Sequence, residues 1–551
     1  MLFVFPVVYW WPALVSGPFA HLGHKTTDID GDFQFAWLLR ESASLFGPQH
    51  LTNAPFGESL WRWQSFTHLL PTVVIWLAGF VTGPFLAVKL YALAGWVVSG
   101  WVVTRISHWS GVSESLSLAA GVLFQMLPWN RYIMENWVHY SWSALPLAAV
   151  WLLVSRDRRL RWTPRFSLTA AAILAISAFV DGYWMYYTAF VLLAGLLLDL
   201  CRALGRRDKV IKRRVSLILG IVTAPLALLA LLSFNQTGDT TGLSRPLGVT
   251  DKSIIDTYGG DLTDLVRPDY RHAVFPRDSR LKDKGWTANP IQYAGAGLLG
   301  CSLLGSIIGI RRKRSNTITI LAVTAVMLEL SLRTELTGLP TLAGVVRGWT
   351  PGLQWTWRAS VVAEGLMVVL AAIGLERLRT VRWSRMSVSL VLVLVVLDLN
   401  PLGGRNVVDQ SRDWRPVREM LSTDGADLVL FLPSQLPTQT WMEQVFLGVP
   451  MVNGLYSQQS RDLLRKLDGE GECSLYAWMV DAGVTHLVAI RNVSVVLPGY
   501  EDIKHLDAEK MDNKMFPLIS TVRIKVVGEW VSPIDVRRVN RDAIRTRCRG
   551  Q

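Results

Sequence analysis

Three aspartates stand within five positions, Asp28, Asp30 and Asp32, in the stretch TTDIDGDFQFAWLLRE at 26–41. Carboxylates this dense suit two kinds of chemistry. They can offer oxygen ligands to a hard cation such as Mg²⁺ or Mn²⁺. Alternatively, one of them, held against apolar surface, can act as a general base. A calcium-binding EF-hand is excluded. Counting from Asp28, Phe33 and Leu39 fall where that loop needs glycine at six and glutamate at twelve. His21 and His24 lie just upstream, but a hard cation prefers carboxylate oxygen, which leaves Asp30 and Asp32 as the ligands if a metal binds.

Loop acids are ordinarily solvated, yet the residues after Asp32 form the amphipathic run FQFAWLLRESASLF, followed by NAPFGESLWRW. That pattern predicts a helix lying along a membrane and then a Pro-Gly turn. Trp37, Trp61 and Trp63 are read there as interfacial anchors or as stacking faces for sugar rings. Further ionisable residues sit at the ends of apolar segments. Arg131, Glu135 and His139 lie in PWNRYIMENWVHYSW, Asp181 in FVDGYWMYY, and Arg358 in LQWTWRAS. Ionisable groups at membrane level are functional candidates, against the ordinary alternatives of snorkelling and helix capping. An arginine among them suits a bidentate contact to phosphate.

The elements that must position these residues are greasy. Half of the 551 residues are hydrophobic and 18% are charged, below the roughly 25% usual for soluble domains. Mean hydropathy is +0.29. A polytopic membrane protein follows. The net charge of +13 does not indicate nucleic acid, because the basic residues cluster in short loops between apolar runs: RDRRLRWTPR, RRDKVIKRR, RRKR and RLRTVRWSR. Such loops mark the cytoplasmic side.

Apolar segments at 1–18, 84–105, 115–130, 138–154, 166–181, 185–202, 215–234, 291–310, 317–333, 359–375 and 386–400 give about eleven spans. Eleven spans put every basic loop inside, and both the 19–83 loop and the tail outside. HLLPTVVIWLAGFVT at 68–82 is read as re-entrant or interfacial. The predicted fold is therefore mainly α. A transmembrane domain covers 1–400, with outer loops at 19–83 and 235–290. A small extracytoplasmic α/β domain covers 401–551.

In that tail DLVLFLP, THLVAI and RIKVVGEWVS read as strands, and DWRPVREML and SRDLLRKL as amphipathic helices. Cys473 and Cys548 lie in the tail and can pair if it is outside the cytoplasm. GAGLLG at 295–300 matches a dinucleotide fingerprint by spacing, but it sits inside an apolar span. With Gly305 and Gly309 it reads as a helix-packing stripe.

With a first span, an acidic outer segment DIDGDFQFAWLL and then NAPFGESL, the chain resembles the GT-C superfamily of membrane glycosyltransferases. NPIQYAGAGLLG, WRASVVAEGLMVVLAAIGLERL and LVLFLPSQ…EQVFLGVPMVNGLYS resemble the YfhO-type bacterial branch. The resemblance implies an enzyme of the cytoplasmic (inner) membrane. It would move a sugar from a polyprenyl-phosphate donor to a glycan, lipid or protein acceptor of the cell envelope, on the outer face. Asp32 best matches the catalytic loop acid, with Asp30 and Asp28 as alternates, and Glu135 or Asp181 could be a second acid. No cofactor is certain; Mg or Mn at Asp30 and Asp32 is the one weighed. Two rivals remain: a non-catalytic assembly protein for envelope polysaccharide, and a transporter or flippase, which should show internal repeats.

Overall fold

A computed structural model describes residues 1–22, 28–42, 48–49, 51, 58–59, 69–136, 138–155, 164–205, 265–266, 293–312, 315–332, 342, 356–380, 385–399, 407–409, 411–432, 445–452, 458–491, 511–527 and 530–549. The predicted span at 215–234 and most of the outer loop 235–290 lie outside them, as do most residues of the four basic clusters.

The described part is mainly helical. Helices run over Val4–Ser16, Asp28–Ser42, Leu69–Thr82, Pro84–Trp109, Glu114–Met126, Pro128–Asn136, Ala144–Val154, Pro164–Val180, Gly182–Gly205, Ala296–Arg311, Ser315–Ser331, Ser360–Thr380 and Arg385–Leu399. Pro84–Trp109 and Gly182–Arg202 are long and apolar enough to cross a membrane by length and composition. The apolar run predicted at 115–130 is two helices. Its break falls at Leu127, because Pro128 cannot donate into the preceding turn but suits the first turn of a new helix.

Glycines set the closest helix contact. Gly305 and Gly374 face one another across helices Ala296–Arg311 and Ser360–Thr380. A side chain on Gly305 would meet the Leu370 carbonyl, and one on Gly374 would lie 2.6 Å from the Cys301 carbonyl. Within the stripe read from GAGLLG onward, Gly305 is thus a backbone-to-backbone contact, while Gly300 has open space beside it. Gly305→Leu is expected to lower stability by roughly 1–3 kcal/mol through overpacking. A thermal melt of detergent-purified protein checks this, and an unchanged midpoint would show that the helices can part at no cost.

The polar residues sort to two ends of the bundle. At one end Asn316 donates to the Trp109 carbonyl at 3.2 Å, Ser113 donates to Glu376, and Arg202 binds Asp199 and Ser315. Arg311 and Arg379 fall in the last turns of their helices, where a cation meets the negative end of the helix dipole. At the opposite end the first outer segment meets the tail. His21–Leu22 pairs antiparallel with Val407–Val408, and Met451 donates its amide to the Leu51 carbonyl at 2.9 Å.

The tail carries a four-stranded sheet. Val429–Leu432 is parallel to His486–Ile490, which is antiparallel to Trp530–Arg538, itself paired with Leu518–Val527. The stretch expected to be one strand, RIKVVGEWVS, is divided between two. The first strand ends at Val527 and the second begins at Trp530, and these two residues pair with each other.

Helices Ser411–Thr423, Gln458–Glu470, Glu472–Asp481 and Arg541–Arg547 complete this part. Trp414, Val417 and Leu421 line the buried face of the first of these, at helical spacing. Cys473 and Cys548 are joined in a disulfide with Cα atoms 5.4 Å apart and a sequence separation of 75. The bridge ties two helices into one unit. Replacing both cysteines with serine is expected to cost roughly 2–4 kcal/mol, mainly through the freed unfolded chain. Urea unfolding followed in the tail measures it, and equal midpoints with and without the bridge would refute it.

Candidate functional site

Three helices begin at the end of the bundle nearest the tail, and each delivers a polar residue. Asp181 stands just before Gly182–Gly205. Its carboxylate accepts from the Tyr183 amide at 2.6 Å, an N-cap that satisfies one of the helix's free donors. Arg358 lies in the short 3-10 turn Thr356–Ala359 that leads into Ser360–Thr380. Tyr91 sits about two turns into Pro84–Trp109. Asp181 is 2% exposed and Arg358 6% exposed, so both have left water, where a charge must find compensation.

Asp32 reaches the same place from a fourth element. The three aspartates lie within helix Asp28–Ser42, in its first turns, and not in a loop ahead of it. Negative residues are favoured at a helix N-terminus. Helical spacing stacks position 32 over 28 and turns 30 to the other side. The side chains of Asp28 and Asp30 lie outside the described residues. The helix is pinned by Phe33, fully buried and packed on Phe85 at 5.6 Å, with the Lys89 ammonium 5.9 Å from its ring. Lys89 donates to the Ala13 and Gly17 carbonyls at 3.1 and 3.0 Å, closing the C-terminal end of helix Val4–Ser16. A buried cation there offsets the dipole of the first helix and holds that helix against the one that carries Asp32.

Tyr91 joins the two acids. Its hydroxyl is within electrostatic reach of both Asp181 and Asp32. The ring is buried against Trp142 at 5.5 Å, and among the described residues the hydroxyl oxygen has no hydrogen-bond partner. A buried polar atom left unsatisfied costs about 1–3 kcal/mol, a cost that an acceptor on a bound molecule would offset. On the far side of Asp181 the Arg358 guanidinium lies 4.1 Å from the Tyr140 ring centroid and 5.1 Å from that of Tyr183. Tyr187 and Asp181 are within electrostatic reach of the same guanidinium. Aromatic faces and one carboxylate surround the buried cation.

The remaining expected residues fall out differently. Arg131 is buried, and its Nη2 donates to the Leu399 carbonyl at 3.1 Å, so it caps the C-terminal end of Arg385–Leu399. Glu135 is buried and accepts from the Tyr9 hydroxyl, which locks Pro128–Asn136 to the first helix. Those contacts give both side chains structural duties. Trp37 is half-buried against the apolar cluster around Phe33. The side chain of His139 and all of Trp61, Trp63 and His24 lie outside the described residues. His21 is buried edge-on to Phe33 at 6.1 Å. Among the described residues no group of three or more His, Cys, Asp or Glu is placed to hold a metal. Sequence reading missed Tyr91, Lys89 and Tyr140. It also passed over Glu364, fully buried in Ser360–Thr380 with Ser360 beside its carboxyl.

The arrangement can bind an anion at Arg358, remove a proton at Asp32 and donate from Tyr91 between them. Comparisons with known proteins bear on what uses it. A family model described as "Domain of unknown function (DUF6311)" matches residues 66–397, which include Tyr91, Asp181 and Arg358 but not Asp32. No curated protein matches the chain. Among solved structures, the arabinofuranosyltransferase AftD from Mycobacteria is similar at 13% identity and a TM-score of 0.53, over 98% of this chain and 40% of AftD. An oligosaccharyltransferase from Archaeoglobus fulgidus matches at 10% identity and 0.52, over 89% and 67%. ArnT from Cupriavidus metallidurans, bound to undecaprenyl phosphate, matches at 10% identity and 0.52, over 97% of each chain. The chain thus spans under half the length of AftD and nearly all of ArnT. At these identities the likeness is one of fold: the GT-C fold of membrane glycosyltransferases.

Proposed function

The chain belongs to the DUF6311 family, and for this member we propose a membrane glycosyltransferase that takes a sugar from a polyprenyl-phosphate donor. The observation that carries the proposal is the Tyr91 hydroxyl, without a partner among the described residues and within electrostatic reach of Asp32 and Asp181, with Arg358 within reach of Asp181 in turn. Asp32 takes the proton of an acceptor hydroxyl. The acceptor oxygen bonds to the anomeric carbon as the bond from that carbon to the phosphate oxygen breaks. Polyprenyl phosphate departs with the bonding electrons, and Arg358 meets the charge it gains. Tyr91 donates to the sugar between the two acids, and Asp181 orients both its own helix and the guanidinium.

We infer from the reading of about eleven spans that this site faces the outer side of the cytoplasmic membrane, with the tail extracytoplasmic. The disulfide Cys473–Cys548 supports that side, because such bridges persist in oxidising compartments. So does the meeting of the 19–83 loop with the tail at the end opposite Arg202, Arg311 and Arg379. ArnT, of the same fold over its whole length, binds undecaprenyl phosphate, which supports a donor of that class. A YfhO-type affinity rests on the sequence motifs, and the envelope acceptor is a glycan, lipid or protein. The test is transfer of labelled sugar from polyprenyl-phosphate donors by purified protein, wild type against Asp32→Asn. Equal transfer by both would make the chain a non-catalytic assembly protein with an inherited fold.

A further inference from the structure

A cleft of about 450 Å³ opens between the outer end of the first helix and the first helix of the tail. Its lining includes Phe19, Phe446, Arg415, Arg418, Glu419 and Ser422. The helix that forms one wall, Ser411–Thr423, sorts its residues by face: Trp414, Val417 and Leu421 are buried, with Trp414 packed on Phe431 of the sheet at 5.8 Å. Positions 415, 418, 419 and 422 recur at helical spacing on the opposite face, towards the cleft. Glu419 accepts from Arg415 Nε at 2.8 Å. That bond fixes the guanidinium and leaves its two outer nitrogens free, and among the described residues Arg418 has no acceptor either. Two planar cationic forks one turn apart, with a single carboxylate between them, leave the cleft a net positive lining.

The other wall is aromatic. Phe19 and Phe446 meet edge to face at 5.4 Å. From there the rings continue: Phe19 packs on Phe85 at 4.7 Å, and Phe85 on Phe33 at 5.6 Å. Phe33 is the neighbour of Asp32 in the chain, so three ring contacts connect the cleft to the helix of the proposed base. An apolar ring surface facing hydroxyl and guanidinium donors is the composition that binds a saccharide, whose rings carry apolar faces and polar rims. Free bidentate forks select one that bears carboxylate or phosphate.

The geometry points to this cleft as the binding site for an anionic oligosaccharide, the non-reacting part of the acceptor, whose far end reaches Asp32. The inference rests on the sugar-transfer reading and deepens it. The proposal is of an extended chain because Asp32 lies outside the cleft's lining and is joined to it through the packed rings Phe19, Phe85 and Phe33.

Equilibrium binding on the full chain in detergent tests it, with a labelled tetrasaccharide of alternating hexuronate and N-acetylhexosamine and its carboxyl-reduced counterpart. The charged probe is expected to bind more tightly than the reduced one. Arg415→Ala with Arg418→Ala should weaken the charged probe by roughly 10–100-fold, as loss of charge-assisted hydrogen bonds implies, and leave the reduced probe unchanged. Glu419→Gln, which removes the competing carboxylate, should tighten the charged probe. All three positions are exposed on the helix surface, so the variants keep the fold, which their melts confirm.

Equal affinity for charged and reduced probes overturns the inference, as does binding that neither variant moves. Full competition by inorganic phosphate at the probe's own concentration would make this a small-anion site and overturn the saccharide. Binding to phosphatidylglycerol vesicles that the double variant abolishes would make it a lipid-headgroup site, with the same consequence. The measurements are repeated in Asp32→Asn. Charge-selective binding without transfer by the wild type sinks only the transferase reading. Transfer without charge-selective binding sinks only this inference.

Discussion

Asp32→Asn is expected to lower kcat/KM for transfer from a polyprenyl-phosphate sugar by about 10²–10⁴-fold, the range a positioned general base contributes. The substitution keeps shape and one acceptor oxygen but cannot take a proton. The protein should therefore fold, bind donor and stop at the attack step. The loss should fall on kcat with little change in KM, because the missing interaction is made only in the transition state. Asp32 is chosen over its neighbours on geometry. Its charge reaches the Tyr91 hydroxyl together with that of Asp181, and position 30 lies on the other side of the helix. Asp30→Asn is thus the matched control, expected to keep transfer within a few-fold of wild type. Asp181→Asn should cost both rate and stability, since it also weakens the cap on Gly182–Gly205. The Asp32–Asp181 double variant should cost less than the two losses combined, because groups acting on one transition state are not additive. Wild-type kcat in folded Asp32→Asn would remove the residue from the chemistry.

Much of this site could be read before the fold was known, and the reason is chemical contrast. Asp181 and Arg358 stand out because each interrupts an apolar run at its end, and a charge at membrane depth needs a reason. Tyr91 offers no such contrast. A tyrosine in an apolar helix looks like any interfacial aromatic, and its importance comes from two acids 59 residues before it and 90 after it in sequence. Arg131 and Glu135 have the same contrast, and the contacts shown for them are structural ones. Their partners, the Leu399 carbonyl and the Tyr9 hydroxyl, are contributed by distant elements that local spacing cannot show. Lys89 was visible, a lone cation in FLAVKLYALAGW. Its place near the helix start made snorkelling a sufficient account, and only the Ala13 and Gly17 carbonyls reveal it as the clamp on the first helix. The aspartates themselves misled on structure. Three Asp and a Gly argue for a loop by propensity, but burial of Phe33, Ala36 and Leu39 on one side overrides it and carries the helix back to Asp28.

Arg358 sets the second large effect, and its variants separate charge from packing. Arg358→Met removes the cation from among Tyr140, Tyr183 and Tyr187 and leaves Asp181 without it. Breaking a buried charge cluster from one side costs about 3–5 kcal/mol, so this variant tests stability more than mechanism. Arg358→Lys keeps the charge and loses the planar fork. A lysine ammonium is a strongly hydrated point charge and does not stack on tyrosine as guanidinium does. The lysine variant should therefore fold with a modest loss and transfer sugar about 10²–10³-fold more slowly, the usual cost of losing one preorganised donor to a developing anion. Rate alone does not prove contact with phosphate, since a misplaced tyrosine would also slow transfer. Product inhibition does separate the two. If Arg358 holds the departing group, its fork is worth most against the dianionic product. Inhibition by polyprenyl phosphate should then weaken roughly 10–100-fold in Arg358→Lys, in line with a lost charge-assisted pair. Inhibition by uncharged polyprenol of equal length should stay the same, because it meets only the apolar lining. A folded lysine variant that transfers slowly yet keeps full affinity for polyprenyl phosphate would reduce Arg358 to a post that keeps three tyrosines and Asp181 in place. The phosphate would then need another cation, and Lys89, buried about half a helical turn from Tyr91, is the next to examine by the same assay.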